Sequence, residues 1–378
     1  MTSISSIRRS TAAGRTGLHA GIFIYNPVQG YQVFLRPGNY DTLGGMIHFV
    51  PHGGGSIPAD HLRNLIEYFT LNGLEHDVLD TRADPEKIVP GDAYVSCDLG
   101  TTVCLEPVRD QIFQVQLPHN LTGLKGTDFA ASTANLNILP GLRFYRQYGI
   151  ARDDPGYVLG GYAKWDRIYA ERFLVPRRRR EIVSEYGLRA DLPWVVFYPT
   201  GPNKGVRGSC HKTEHIRSRL SRDIGRHEFV LCVHAQAYKD DRSKPIIRRL
   251  SQVAAEDSSI HVIDGSEALP FITACNLFMT DIASTLITAL SMKKPVCFVA
   301  VDHEPSMRRR IREFQRGTFF NRIRNFSEYI ESYRTPEALL RLFGECVAFD
   351  DDRNCERIAD VIGDRYETWR QAQGFGLK

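Results

Sequence analysis

Short, uninterrupted apolar runs recur along this chain, each closed by turn residues, and segments with helical spacing separate them. This alternation constrains the fold more than any other feature. A run with no polar alternates buries both of its faces, which is the habit of a parallel strand covered by helices on each side. The first clear run is GMIHFV at 45–50. It is followed by PHGGGS and then by residues 58–72, where Leu62, Leu65, Ile66 and Phe69 share a helix face and Gly73 supplies a stop. HDVLD (76–80), DAYVSCD (92–98), QIFQVQL (111–117) and PGYVLGG (155–161) continue the series of strands.

The pattern then restarts. RRRREIVSEYGL predicts a helix ending at Gly187, WVVFY (194–198) a strand, CHKTEHIRSRLSRDIG a helix and EFVLCVH (228–234) a strand. Helices are expected at 246–256, 267–275 and 283–291, with strands at 260–263, 277–279 and 295–301. Two α/β domains joined near 155–170 is the economical reading. A last helix, 354–372, would cross back to brace the first domain. With 378 residues and 42% hydrophobic content, the chain can fill two such cores, and it fits neither a disordered nor a disulfide-stapled class.

The net charge of +4 is too small to indicate nucleic acid, and no interleaved aromatic platform supports one. The eight cysteines show neither a Cys-x-x-Cys pair nor zinc spacing, so no metal is expected and a reducing compartment is. Cys232 and Cys297 lie in apolar runs and read as buried thiols. No apolar stretch reaches the roughly 18 residues needed to span a bilayer. The expectation is a cytoplasmic protein, with peripheral contact to an anionic membrane surface left open by two basic stretches. These are Arg177 to Arg180, and a segment carrying Arg308, Arg309, Arg310, Arg312, Arg316, Arg322 and Arg324. For both, a solvated face is the plain alternative.

Candidate site residues gather at strand ends, where open α/β sheets assemble their ligand sites. The loop His52-Gly53-Gly54-Gly55 either lines a substrate or simply makes a tight turn. It matches no nucleotide fingerprint, and without a Gly-x-Ser-x-Gly elbow it is not read as an esterase oxyanion loop. His119 follows the strand QIFQVQL, where an imidazole can take a proton from an attacking alcohol, and Lys125 can offer charge to a phosphate. A structural His is the alternative. His234 ends a second-domain strand, and Glu267 follows another and can accept from ribose hydroxyls. In TDIASTLITAL, Asp281, Ser284 and Thr285 stand where a helix start can hold a diphosphate, or where one of them merely caps that helix.

In this order, these pieces resemble the CDP-glycerol glycerophosphotransferase family of teichoic-acid-type primases and polymerases, and more loosely the GT-B glycosyltransferases. The resemblance covers roughly residues 90–300. His119 through Lys125 resembles the family's His-Gly motif with its following lysine, and Gly161-Tyr-Ala-Lys164-Trp-Asp166 its Gly-x-Pro-[Arg/Lys]-x-Asp turn. Phe197-Tyr-Pro-Thr200 resembles its Tyr-Ala-Pro-Thr, Val233-His234 its Leu-His-Pro, and Thr280 to Thr285 its Thr-Asp-Tyr-Ser-Ser loop. Asn120, Ala163, Ala235 and Ile282-Ala283 depart from that pattern.

The resemblance implies a GT-B-like α/β fold with two Rossmann-like domains facing each other across a cleft. Residues 1–158 would be the acceptor side, 159–350 the nucleotide-donor side, and 351–378 a helix packing back toward the first. It implies that His119 deprotonates an alcohol, which attacks the β-phosphorus of a CDP-linked donor and releases CMP. His234, Ser284 and Thr285 would offset diphosphate charge, Asp281 would orient the loop, and Lys164 would join the substrate loop. The acceptor would be a polyol phosphate, a glycan or a lipid-linked chain, with no cofactor beyond the activated donor. An inverting glycosyltransferase, a non-catalytic nucleotide-binding scaffold and a nucleotide-sugar 2-epimerase remain alternatives.

Overall fold

The computed structural model describes residues 22–26, 31–35, 45–50, 56–79, 88–97, 105–118, 120–121, 132–200, 209–238, 241, 243–281, 284–301 and 311–375. The hairpin β1 (Ile22–Asn26) and β2 (Tyr31–Leu35) pairs antiparallel. Two six-stranded sheets follow, and every neighbouring pair in both is parallel.

The first sheet contains β3 (Ile47–Val50), β4 (His76–Val78), β5 (Ala93–Ser96), β6 (Phe113–Gln116), β7 (Leu136–Leu139) and β8 (Tyr157–Leu159), in the order β4-β3-β5-β6-β7-β8. One face packs on α1 (Ser56–Leu71) through Leu62, Leu65 and Phe69. The same face is covered by the final helix, residues Asn354–Ala372, through Ile358, Ile362 and Tyr366. The opposite face alternates apolar with polar side chains, so His48, Ser96, Gln114, Gln116 and Asn137 are buried there. β7 escapes a sequence reading because Asn137 interrupts its apolar run.

The second sheet contains β9 (Trp194–Tyr198), β10 (Glu228–Val233), β11 (Ile260–Asp264), β12 (Leu277–Thr280), β13 (Val296–Phe298) and β14 (Thr318–Phe319), in the order β11-β10-β9-β12-β13-β14. Trp194, Val196 and Tyr198 point into one core and Val195 and Phe197 into the other, which is why WVVFY carries no polar alternate. The first core is shared with α3 (Trp165–Glu171), α4 (Val175–Tyr186), α7 (Ala268–Ala274), α8 (Thr285–Ser291) and α10 (Glu337–Cys346). The second is shared with α5 (Thr213–Asp223), α6 (Ser243–Glu256) and α9 (Phe326–Ser332). The short α2 (Arg143–Tyr148) follows β7, and α11 is the final helix already described. Cys232 and Cys297 are fully buried thiols, and burial drives the thiol pKa of both well up.

The chain crosses between the sheets twice, and the crossings are tied together. Asp166, on α3, accepts the backbone N–H groups of Asn354 at 2.7 Å and Cys355 at 2.8 Å, which are orphan donors at the start of α11. Asn354 returns the contact by accepting the Tyr162 N–H at 3.2 Å. Trp165 donates to Asp350 at 3.2 Å, and Arg172 pairs with the same carboxylate. Gly161 has φ +96°, and a Cβ there would run into the Asn354 side chain, so the junction requires glycine on two counts.

Burial raises the Asp166 carboxyl from 3.8 to about 6, against the pull of the Cys355 and Asn354 N–H groups. Because the folded state holds this proton more tightly than the unfolded chain, the stability contributed by Asp166 falls as pH rises from about 4 to about 6. Urea denaturation of Asp166→Ala should show a loss of about 1–3 kcal/mol from two orphaned N–H groups. Asp166→Asn should remove this part of the pH dependence, narrowing the stability gap to the native chain between pH 4 and pH 6. An unchanged gap would refute the assignment.

Candidate active site

In the second sheet the strand order reverses between β9 and β12, so the loops that leave these strands diverge and open a crevice at their carboxyl ends. Asp281, immediately after β12, is fully buried at this point. A buried carboxylate must have its lone pairs satisfied, and the backbone supplies most of what it needs. Oδ1 accepts the Thr200 N–H at 2.8 Å, while Oδ2 accepts the Ser209 N–H at 2.9 Å and the Ser209 hydroxyl at 2.7 Å. Gln315 donates its side-chain N–H to the Asp281 carbonyl at 2.8 Å. The Asp281 side chain therefore gathers the segment after β9 and the segment before α5, and the backbone carbonyl of the same residue holds the segment before β14.

The structure corrects the capping alternative for this loop. Ser284, the residue before α8, makes no side-chain capping bond, and the Asp281 carboxylate reaches Thr200 and Ser209. The Thr285 hydroxyl is buried and lacks a partner, as does the Thr200 hydroxyl beyond the end of the neighbouring strand β9. Each idle hydroxyl is a standing cost unless something outside the chain uses it.

The neighbouring strand ends bring in the other residues. His234 follows β10 and meets Tyr198 edge to face, with ring centroids 6.4 Å apart. After β11, Asp264 accepts the Ser266 N–H at 2.8 Å and the Ser266 hydroxyl at 2.6 Å, fixing a tight turn. A Cβ on Gly265 would lie 2.8 Å from both the Tyr198 hydroxyl and the Val233 carbonyl, so this turn approaches β9 and β10 as closely as glycine allows. Tyr198 donates to the Gly265 carbonyl at 3.5 Å, and burial raises its pKa well above that of a free phenol.

The turn continues into a cavity of about 530 Å³ between the two sheets. Ser266 and Glu267 line it from the second sheet, Arg63 and Asn64 from α1, and Lys164 and Arg167 from the crossing segment. Glu267 accepts from the Tyr186 hydroxyl at 3.3 Å. Desolvation, then the charges of Glu267 and Glu185, push that phenol up to about 12.

Thus His234, Glu267, Asp281, Ser284 and Thr285 lie at the carboxyl ends of adjacent parallel strands, and Lys164 faces the cavity that Glu267 lines. His119, Lys125 and the loop His52-Gly53-Gly54-Gly55 lie outside the described residues. Thr200, Ser209 and Gln315 did not stand out as site residues in the sequence. Thr200 sits in the noted Tyr-Pro-Thr, but only the pairing of β9 with β12 brings its backbone N–H to Asp281. Among the described residues, no group of three or more His, Cys, Asp or Glu could hold a metal ion, and no helix is long and apolar enough to cross a membrane.

No protein-family model matches the sequence, and no curated protein matches it. Solved structures do share its fold. The wall teichoic acid polymerase TagF, soaked with CDPG, superposes with a TM-score of 0.57 at 14% identity, covering 85% of this chain and 89% of that one. An S. aureus MnaA–UDP co-structure gives 0.56 at 12% identity over 84% and 96% of the two chains. A putative UDP-N-acetylglucosamine 2-epimerase from Listeria monocytogenes gives 0.54 at 13% identity over 85% and 97%. The architecture is GT-B-like, with two parallel α/β sheets facing a shared cleft.

The convergence on Asp281 yields a prediction. Asp281→Ala orphans two backbone N–H groups and a hydroxyl in a dry site, so urea denaturation should show a loss of about 3 kcal/mol. Ser209→Ala should cost about 1 kcal/mol. Equal, negligible losses would mean that the carboxylate does not organise these loops.

Proposed function

We propose that this chain transfers glycerol phosphate, or a related polyol phosphate, from a CDP-activated donor to a hydroxyl of a glycan or lipid-linked acceptor in cell-surface polymer synthesis. The observation that carries this reading is the pair of buried hydroxyls without partners, Thr200 after β9 and Thr285 at the start of α8, on the loops that leave the two strands where the sheet order reverses. Hydroxyl donors in a crevice whose backbone a buried carboxylate fixes at Thr200 suit a diphosphate, whose charge they meet without reorganising. His234 adds a donor at the next strand end, and Glu267 offers an acceptor for ribose hydroxyls. The fold shared with a polymerase soaked with CDPG supports the choice of donor.

In this reading the acceptor approaches from the first sheet. His119, reached from the carboxyl end of β6, takes the proton of the acceptor hydroxyl as its oxygen bonds to the β-phosphorus. The bridging P–O bond breaks and CMP leaves with its electron pair. Lys125 and Lys164 balance charge on the transferred phosphate. A second reading, transfer of a sugar from a nucleotide sugar, draws support from the two UDP-linked neighbours of the same fold.

Thermal-shift titration with CDP, UDP, GDP and ADP decides between them, because a ligand that binds only the native state raises its midpoint by mass action. CDP should stabilise most, and joint Thr200→Val and Thr285→Val replacement should abolish much of the shift. Selective stabilisation by UDP would favour sugar transfer. No shift with any nucleotide would overturn both readings. With an active donor, His119→Ala should lower kcat/KM by about 100-fold or more.

A further inference from the structure

We infer that Arg143 is a positioning residue for the crevice of the second sheet: reaching across from the first sheet, it fixes the segment that holds Asp281 in place. Arg143 opens α2, whose Phe144 and Tyr145 pack with Leu139 of β7, so its backbone is anchored to the first sheet. Its guanidinium belongs to the other side. Nη2 donates to Glu313 at 2.7 Å, Nη1 lies 3.7 Å from the Glu345 carboxylate, and the group sits over the Phe314 ring at 4.2 Å from its centroid. Phe314 is part of the core of the second sheet.

Only 4% of Arg143 is exposed, and taking a guanidinium out of water costs more than burying an apolar side chain of the same size. What the charge adds is one fixed geometry. The two halves of the chain also come close together here: a Cβ on Gly141 would run into the Glu345 and Cys346 carbonyls, and the Ala348 N–H donates to the Pro140 carbonyl at 2.8 Å. Arg146 grips Glu345 with two hydrogen bonds, at 2.9 and 2.6 Å. Glu345 is thereby a fixed point, against which Arg143 places Glu313.

From Glu313 the connection runs directly to the candidate site. Phe314 is sealed in the core, and next to it Gln315 donates its side-chain N–H to the Asp281 carbonyl at 2.8 Å. Close packing around Phe314 keeps this short stretch from shifting at one end without shifting at the other. Asp281 in turn accepts the Thr200 and Ser209 amides. Every link from α2 to those amides is thus a hydrogen bond or a few residues of packed backbone. The bearing of this link on a nucleotide rests on the transfer reading, whereas the link itself does not.

Hydrogen exchange at single backbone amides tests it, in the full chain and in Arg143→Gln, Glu313→Gln and the double variant. The Thr200 and Ser209 amides should exchange at least about tenfold faster in each single variant, as for the loss of one hydrogen bond to a charged group. The Asn354 and Cys355 amides, which donate to Asp166, should be unaffected. The double variant should match the single ones, because both changes break the same contact. Arg143→Lys, which keeps the charge facing Glu313, should exchange more slowly at Thr200 and Ser209 than Arg143→Gln does. Unchanged exchange at Thr200 and Ser209, or an equal rise at Asn354 and Cys355, would overturn the inference. The nucleotide-induced thermal shift should shrink in both single variants, and an undiminished shift would refute the positioning role. If no nucleotide shifted even the native chain while exchange responded as expected, the transfer reading would fall and the link between the sheets would stand.

Discussion

A buried carboxylate that ties together two distant stretches of chain underlies the arrangement of the molecule. Asp166 leaves the first sheet's last connection and ends up against the amide groups that open the final helix, 188 residues further on. Without an acceptor there, the first turn of that helix would bury donors with nothing to meet them. With it, the two passages between the sheets run side by side, and Asn354 and Asp350 stitch them again to Tyr162, Trp165 and Arg172. The mutual position of the sheets, and hence the cavity between them, is set at this seam.

The same device appears at the crevice. Asp281 is as buried as a residue can be, and its carboxylate accepts two backbone N–H groups and the Ser209 hydroxyl from elsewhere in the second half of the chain. The carboxylate acts here as scaffolding. It leaves the neighbouring hydroxyls of Thr200 and Thr285 without protein partners, which is the form in which a protein keeps hydrogen-bonding capacity in reserve. The polar strand ends then read as one assembly, with a structural carboxylate behind and idle donors in front.

The α/β class was legible because burial on both faces leaves a strand with no polar alternates, and WVVFY and EFVLCV announce that plainly. Strands whose second face is partly polar were harder. Asn137 hides LNIL, and Thr318–Phe319 is too short to signal itself. The site was legible residue by residue at strand ends, yet the pairing of those residues was not. The order of strands in a sheet is a tertiary fact, and it alone brings Thr200 to Asp281. Capping was the natural local reading of Asp281 and Ser284. Ser284 makes no such bond, and Asp281 reaches partners 72 and 81 residues away, beyond the reach of any sequence window.

The final helix completes the hydrophobic face of the sheet that begins the chain. Tyr366 stacks on Phe113 at 5.7 Å, and Ile358 and Ile362 share a core with Val115, Leu136 and Ile138. During synthesis, the first sheet and α1 therefore emerge long before the final helix, and the part of the face that this helix covers must wait through the making of the entire second sheet. The second sheet draws its own helices from neighbouring sequence and can close as it is made. Order of synthesis and order of completion are thus reversed, and the half of the molecule made first is the one most in need of a chaperone.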